Sequence, residues 1–166
     1  MKFGSVLRNL IVPACAVAGL VVAAAPAVAA PAPALNHCVG NIVTYVQKCY
    51  ATVDEALRLG TGERVPALNL VTFYDGLNYG PGSFTATGPR ACTVSTSTPD
   101  YSHPNMSRFG GNWNDRASSV KTYNQCDVWF SSDINYEGEC GNRYIDVQAD
   151  LRRDSCNNRA SSYDLS

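Results

Sequence analysis

The sequence has no cluster of basic residues, and that absence removes the commonest electrostatic partners. Its 13 Lys and Arg are scattered among 14 Asp and Glu. Nucleic acid is recognised through a stripe of Lys and Arg that displaces counterions, and anionic membrane surfaces ask for the same. Histidine is scarce: only His37 and His103 occur, and both read as solvent-facing loop residues. The adjacent hydroxyls of Ser118 and Ser119 have no His near them in sequence. Carboxylate pairs such as Asp133 with Glu137, or Glu137 with Glu139, are placed across no cleft by any pattern. No enzyme is expected. Nor are Cys and His grouped at the short spacings that zinc requires. The apolar run at residues 10–22 is too short, and wrongly flanked, to cross a membrane.

That run has another reading. Lys2 and Arg8 precede it and Ala27-Val28-Ala29 follows as a small-x-small cleavage site, which together make a secretory signal peptide over residues 1–29. Val12-Pro13-Ala14 before Cys15 is a poor lipobox, so a lipid anchor is not expected. Removing the leader leaves one domain's length of acidic chain, expected outside the cell and off the membrane. Six of the seven cysteines remain: Cys38, Cys49, Cys92, Cys126, Cys140 and Cys156. An even number in an exported chain reads as three disulfides, whose connectivity sequence alone leaves open. The expected pairs are Cys38–Cys49, Cys126–Cys140 and Cys92–Cys156, the first two because they close short loops.

Residues 30–66 read as a Pro/Ala leader followed by a strand–helix appendage. The strand is expected over residues 41–50, rich in Val, Ile, Tyr and Thr. Thr52-Val53-Asp54-Glu55 is a capping box that starts a helix of two turns, stopped at Gly60 or Gly62. From Pro66 onward the pattern is β. Leu68, Leu70, Thr72 and Tyr74 alternate with Asn69, Val71 and Phe73, and Ile145, Val147, Ala149 and Leu151 alternate with Asp146, Gln148 and Asp150. Gly and Asn clusters punctuate these runs as in short-stranded sandwiches.

Within this β region one phrase occurs twice. Asn114-Asp115-Arg116-Ala117-Ser118-Ser119 returns as Asn157-Asn158-Arg159-Ala160-Ser161-Ser162. Upstream lie Asn78-Tyr79-Gly80-Pro81-Gly82 and Asn135-Tyr136-Glu137-Gly138-Glu139, a second matched pair in the same order. Two ordered echoes imply a duplicated unit, with repeat 1 over about residues 67–120 and repeat 2 over about 121–166. The first repeat is longer. Its surplus falls in residues 93–107, rich in Ser, Thr and Pro, and is expected to be an extended surface loop. The hexapeptide itself is dense in hard oxygens: carboxylate, amide, two hydroxyls and the turn's carbonyls. Calcium takes six to eight such ligands in irregular geometry, whereas magnesium demands a stricter octahedron.

An aromatic hairpin with Asn-Tyr-x-Gly, then N/D-N/D-x-x-S/T-S, resembles the βγ-crystallin Greek-key motif, here doubled. The resemblance covers roughly residues 68–166. It implies an all-β fold, two intertwined Greek keys forming a β-sandwich, with two calcium sites. One would use Asp115, the Arg116 carbonyl and Ser118, and the other Asn158, the Arg159 carbonyl and Ser161; Asn114 and Asn157 open the two corners. A further carbonyl would come from the opposite unit's hairpin, near Asp75-Gly76 or Ser132-Asp133. In the first hairpin Pro81 stands where the motif wants a glycine, so the fold-over is expected to shift by one residue. The chain is also similar to a βγ-crystallin-like metalloprotease-inhibitor family. That similarity implies a secreted peptidase as partner, met by an extended loop carrying Thr93, Asp100, Tyr101, His103 and Ser107.

Overall fold

The computed structural model describes residues 36–62 and 67–166, within the compact unit Pro33–Ser166. The signal-peptide and leader expectations fall on residues outside that set. Among the described residues ten strands and one α-helix follow in chain order: β1 His37–Asn41, β2 Gln47–Tyr50, α1 Val53–Leu59, β3 Leu68–Tyr74, β4 Ser83–Gly88, β5 Tyr101–His103, β6 Ser119–Thr122, β7 Val128–Ser131, β8 Cys140–Ile145, β9 Val147–Gln148 and β10 Ser162–Leu165.

The strands make two sheets, β2-β1-β4-β3-β6-β9 and β5-β10-β7-β8. Each repeat contributes four strands and sends its third across: β5 leaves the first repeat for the second sheet, and β9 does the reverse. Those exchanged strands are what interlock two Greek keys into one sandwich. The core lies between the sheets, where Phe73 meets Phe130 at 5.7 Å and Tyr163 at 4.9 Å between ring centroids. Phe84, Phe109, Trp113, Ile145 and Leu151 complete it, all buried.

The N-terminal segment is more than an appendage. β1 pairs in parallel with β4 and antiparallel with β2, so it extends the first sheet. Helix α1 begins as expected: the Thr52 side chain accepts from the Glu55 N–H, and Gly60 at φ 55° ends it. Ala56 buries with Val39 and Tyr50 as a second small core. The single strand expected over residues 41–50 is instead a hairpin. Asn41 Oδ1 accepts from the N–H groups of Val43 and Thr44 at 2.9 and 3.1 Å, an Asx turn that reverses the chain.

The long alternation through Ile145 and Leu151 also breaks. Ile145 ends β8 in one sheet and Val147 opens β9 in the other. The crossing is held where the Thr122 N–H and Oγ1 both bond the Asp146 carbonyl, at 2.9 and 3.0 Å. The disulfides correct two of three expected pairs. Cys38–Cys49 is formed, but the others are Cys92–Cys126 and Cys140–Cys156. Short sequence loops were a poor guide because Cys126 precedes β7 and faces the loop after β4, a neighbour only in the folded chain.

Candidate functional site: the crossed hexapeptide corners

The two hexapeptides lie against each other with near two-fold symmetry. Asp115 and Asn158, the second positions, both adopt left-handed backbone, φ 56° and 53°. Asn and Asp tolerate that conformation better than other side chains. The Asp115 N–H donates to the Ala160 carbonyl, and the Asn158 N–H to the Ala117 carbonyl, each at 2.9 Å. Ala117 and Ala160 are fully buried, and a larger side chain there would part the corners.

The side chains cross as well. Ser118 Oγ donates to Asn158 Oδ1 at 2.9 Å, and Ser161 Oγ to Asp115 Oδ1 at 3.3 Å. Where the sequence grouped Asp115 with Ser118 and Asn158 with Ser161 as ligands, the hydrogen bonds of these side chains run across the repeats instead. Each corner takes its amide or carboxylate from one repeat and its hydroxyl from the other. Beside each hydroxyl runs that hydroxyl's own hairpin, since the Ser118 N–H bonds the Tyr74 carbonyl and the Ser161 N–H bonds the Ser131 carbonyl. Sequence reasoning could not see this, because the partners are separated by a whole repeat.

The last serines have a different task. Ser119 Oγ donates to the Gly76 carbonyl at 2.7 Å and accepts from the Tyr79 N–H at 3.0 Å. Ser162 Oγ donates to the Asp133 carbonyl at 2.6 Å and accepts from the Tyr136 N–H at 3.0 Å. Each thus closes a hairpin arc. In both arcs an Asn-Tyr pair, Asn78-Tyr79 or Asn135-Tyr136, holds positive φ. The following glycine with positive φ is Gly138 in the second repeat but Gly82 in the first, so Pro81 does displace the fold-over by one residue.

The first positions are unlike. Asn114 Nδ2 donates to Asp115 Oδ2 at 2.7 Å, whereas Asn157 Oδ1 is buried with no hydrogen-bond partner. The arginines point their charges elsewhere. Arg116 pairs with Asp75 at 2.6 Å and lies 4.6 Å over the Trp113 ring, and Arg159 Nη1 donates to the Ser155 carbonyl. Both leave the corner oxygens without a competing cation from these side chains. Neighbouring ligands around an ion at ~2.4 Å stand roughly 3 Å apart, which the two crossed oxygen pairs match. Among the described residues no three His, Cys, Asp or Glu converge. A cation here would be held by amide, hydroxyl and carbonyl oxygens with one carboxylate, a donor set suited to calcium.

The second candidate feature is smaller than its sequence suggested. Residues 101–107 are only partly loop: Tyr101 and His103 belong to β5, paired with β10, and Ser107 sits in a 3₁₀ turn capped by Asn105. His103 is 1% exposed, which overturns its reading as a solvent-facing residue. What remains is the stretch from Cys92 to Asp100. Asp100 accepts from the Thr93 N–H at 2.6 Å and pairs with Arg90, and these two groups hold its carboxyl below the usual range. Val94, which the sequence did not single out, stands 88% exposed at the tip. Beside this loop opens a cavity of about 460 Å³ lined by Thr93, Val94, Asp127 and Asp146. Burial, and secondarily Asp146, raises the Asp127 carboxyl.

Strand exchange and crossed corners define a βγ-crystallin-like fold. Among solved structures the chain is similar to a βγ-crystallin from an archaeon, at 24% identity and TM-score 0.42 over 59% of this chain and 98% of that one. It is similar also to a Flavobacterium johnsoniae βγ-crystallin domain, at 23% identity and TM-score 0.41 over 59% and 94%. A structure described under the evolution of the eye lens βγ-crystallin domain fold matches at 21% and 0.44 over 63% and 91%. No family model and no curated protein matches the chain. Its three disulfides suit an oxidising environment. Among the described residues no helix is long and apolar enough to cross a membrane.

Proposed function

We propose that this protein is a secreted, non-enzymatic module that binds calcium at its two crossed corners, using the ion to fasten one repeat to the other. The reading rests on one observation: hydroxyl and amide or carboxylate oxygens from opposite repeats converge at 2.9 and 3.3 Å. Asp115 with Ser161 would hold one ion and Asn158 with Ser118 the other, joined by the Arg116 and Arg159 carbonyls. A bound ion supplies positive charge that draws these oxygens together. Extracellular sites of this sort have Kd of ~10⁻⁴–10⁻³ M, and affinity rises with ligand charge. The Asp115 corner should therefore bind more tightly than the Asn158 corner. Calcium at about a hundred times Kd should add about 2.7 kcal/mol of stability. Thermal melts and calorimetry of chelated and calcium-loaded protein check this, with Asp115→Ala expected to remove the tighter phase. Identical melts with calcium and with chelator would overturn it.

A second reading, inhibition of a secreted metallopeptidase, is favoured by Val94. An inhibitor presents an apolar anchor on a pre-ordered loop, so that little entropy is lost on docking. The Thr93–Asp100 bonds and the adjacent Cys92–Cys126 disulfide supply that order. Deleting residues 93–107 would remove β5, so Val94→Asp is the cleaner probe. Assayed against a panel of secreted metallopeptidases, it should abolish inhibition while calcium binding persists. Inhibition unchanged by Val94→Asp, or absent from the native protein, would remove this reading.

A further inference from the structure

His103 is the one buried histidine, and aromatic rings surround it. It faces Tyr163 across the β5–β10 pair with ring centroids 5.5 Å apart and planes 10° from parallel. Phe109 lies 4.1 Å away on one side, and Tyr45, from the turn of the β1–β2 hairpin, closes in edge-on at 6.0 Å. Nε2 of His103 and the hydroxyl of Tyr163 are both buried without a hydrogen-bond partner. The other nitrogen is engaged: the Asn105 N–H donates to His103 Nδ1 at 3.4 Å. Nδ1 is therefore the acceptor, and Nε2 carries the proton.

That bond begins a turn on which several others depend. Asn105 Oδ1 accepts from the Ser107 N–H and Oγ at 2.9 and 2.6 Å. The Met106 N–H donates to the Ser161 carbonyl at 2.8 Å, and the Trp113 N–H to the Met106 carbonyl at 3.2 Å. A proton added at Nδ1 would set one donor against another at the start of this chain, and would leave a cation between three aromatic rings. We propose that His103 is an acid-operated latch whose protonation releases the 3₁₀ turn Met106–Arg108, strand β5 and the Tyr45 hairpin tip from the sandwich.

The groups facing the ring favour the neutral form. Burial first, then repulsion from Arg108 on the following turn, lowers the His103 pKa to about 4, against a smaller opposing pull from the residue's own backbone. Tyr45 of the hairpin tip, Tyr163 of β10 and Tyr136 of the second hairpin offer phenols rather than carboxylates. Burial, then Tyr136 and Tyr45, keep the Tyr163 phenol well above its ordinary value. The sign follows. The closed form binds the proton less readily than the open form, so closure is favoured above the ordinary value of 6.5 and weakens as pH falls through it toward about 4. Between pH 7 and pH 4 the opening equilibrium should rise by about a hundredfold, with a slope approaching tenfold per pH unit midway.

The test is amide hydrogen exchange by NMR between neutral pH and pH 4, corrected for intrinsic rates, on the exported form and on His103→Phe and His103→Gln. Amides of Met106, His103 and Tyr163 should open progressively in the native protein while Phe73 and Val120 stay protected, and the slope should vanish in His103→Phe. If that variant does not fold, His103→Gln, which keeps an acceptor near Asn105 without titrating, should give the same flat profile. An imidazole that titrates near 6.5 in the folded protein, or an opening slope that survives either substitution, would overturn the proposal.

Discussion

Replacing Cys92 and Cys126 together by alanine is expected to cost the domain about 3–4 kcal/mol, read as a lower midpoint in urea. The bridge spans 34 residues, and closing a loop of that size removes denatured-state entropy worth roughly this amount. It should do more than destabilise. Cys92 and Cys126 are both buried, and the bridge joins the loop that presents Val94 to the turn before β7. Without it, hydrogen bonds would hold the loop, among them those of Thr93 with Asp100 and of Ser166 Oγ with the Ser95 and Thr98 carbonyls, and inhibition of any sensitive peptidase should fall before calcium binding does. The pairing itself is checked by peptide mapping without reduction, which should yield Cys92–Cys126 and Cys140–Cys156 fragments. Recovery of Cys126–Cys140 would contradict the fold described above.

Trp113→Ala should be costlier among single substitutions in the core, at about 3–5 kcal/mol. The indole is 2% exposed, packs toward Phe84 at 6.2 Å and carries the Arg116 guanidinium on its face. Its loss would leave a large void and let Arg116 drift from Asp75. Because the Arg116 carbonyl is proposed as a calcium ligand, the tighter calcium phase should weaken in the variant. Conservative Trp113→Phe should recover most of the stability. A thermal melt of Trp113→Ala within a degree or two of the native value would show that the corner is held by other contacts.

Much of this architecture was readable from residue order. Tandem hexapeptides with matched hairpins announced a duplicated β unit, and Thr52 with Glu55 located the start of helix α1. Pro81 signalled a displaced hairpin glycine, and Gly82 takes that place. Two expectations fail, for different reasons. A strand over residues 41–50 was inferred from β-propensity, but Asn41's side chain offers the backbone two local bonds that turn it back. His103 was read as exposed because Ser, Thr and Pro surround it, yet period-two packing against Tyr163 buries it. The first reason is a local side-chain bond that outweighs β-propensity, and the second a pairing with a strand distant in sequence.

By itself the residue order determined that this is a disulfide-bearing β protein of two similar halves, with oxygen-rich turns at corresponding places. Local chemistry suffices for that, since turn residues, caps and alternation act over a few positions. Only the tertiary structure decided that Ser118 serves Asn158 and Ser161 serves Asp115, that Cys92 meets Cys126, and that the N-terminal strand joins the first sheet. All are contacts between segments distant in sequence, which no short-range preference encodes.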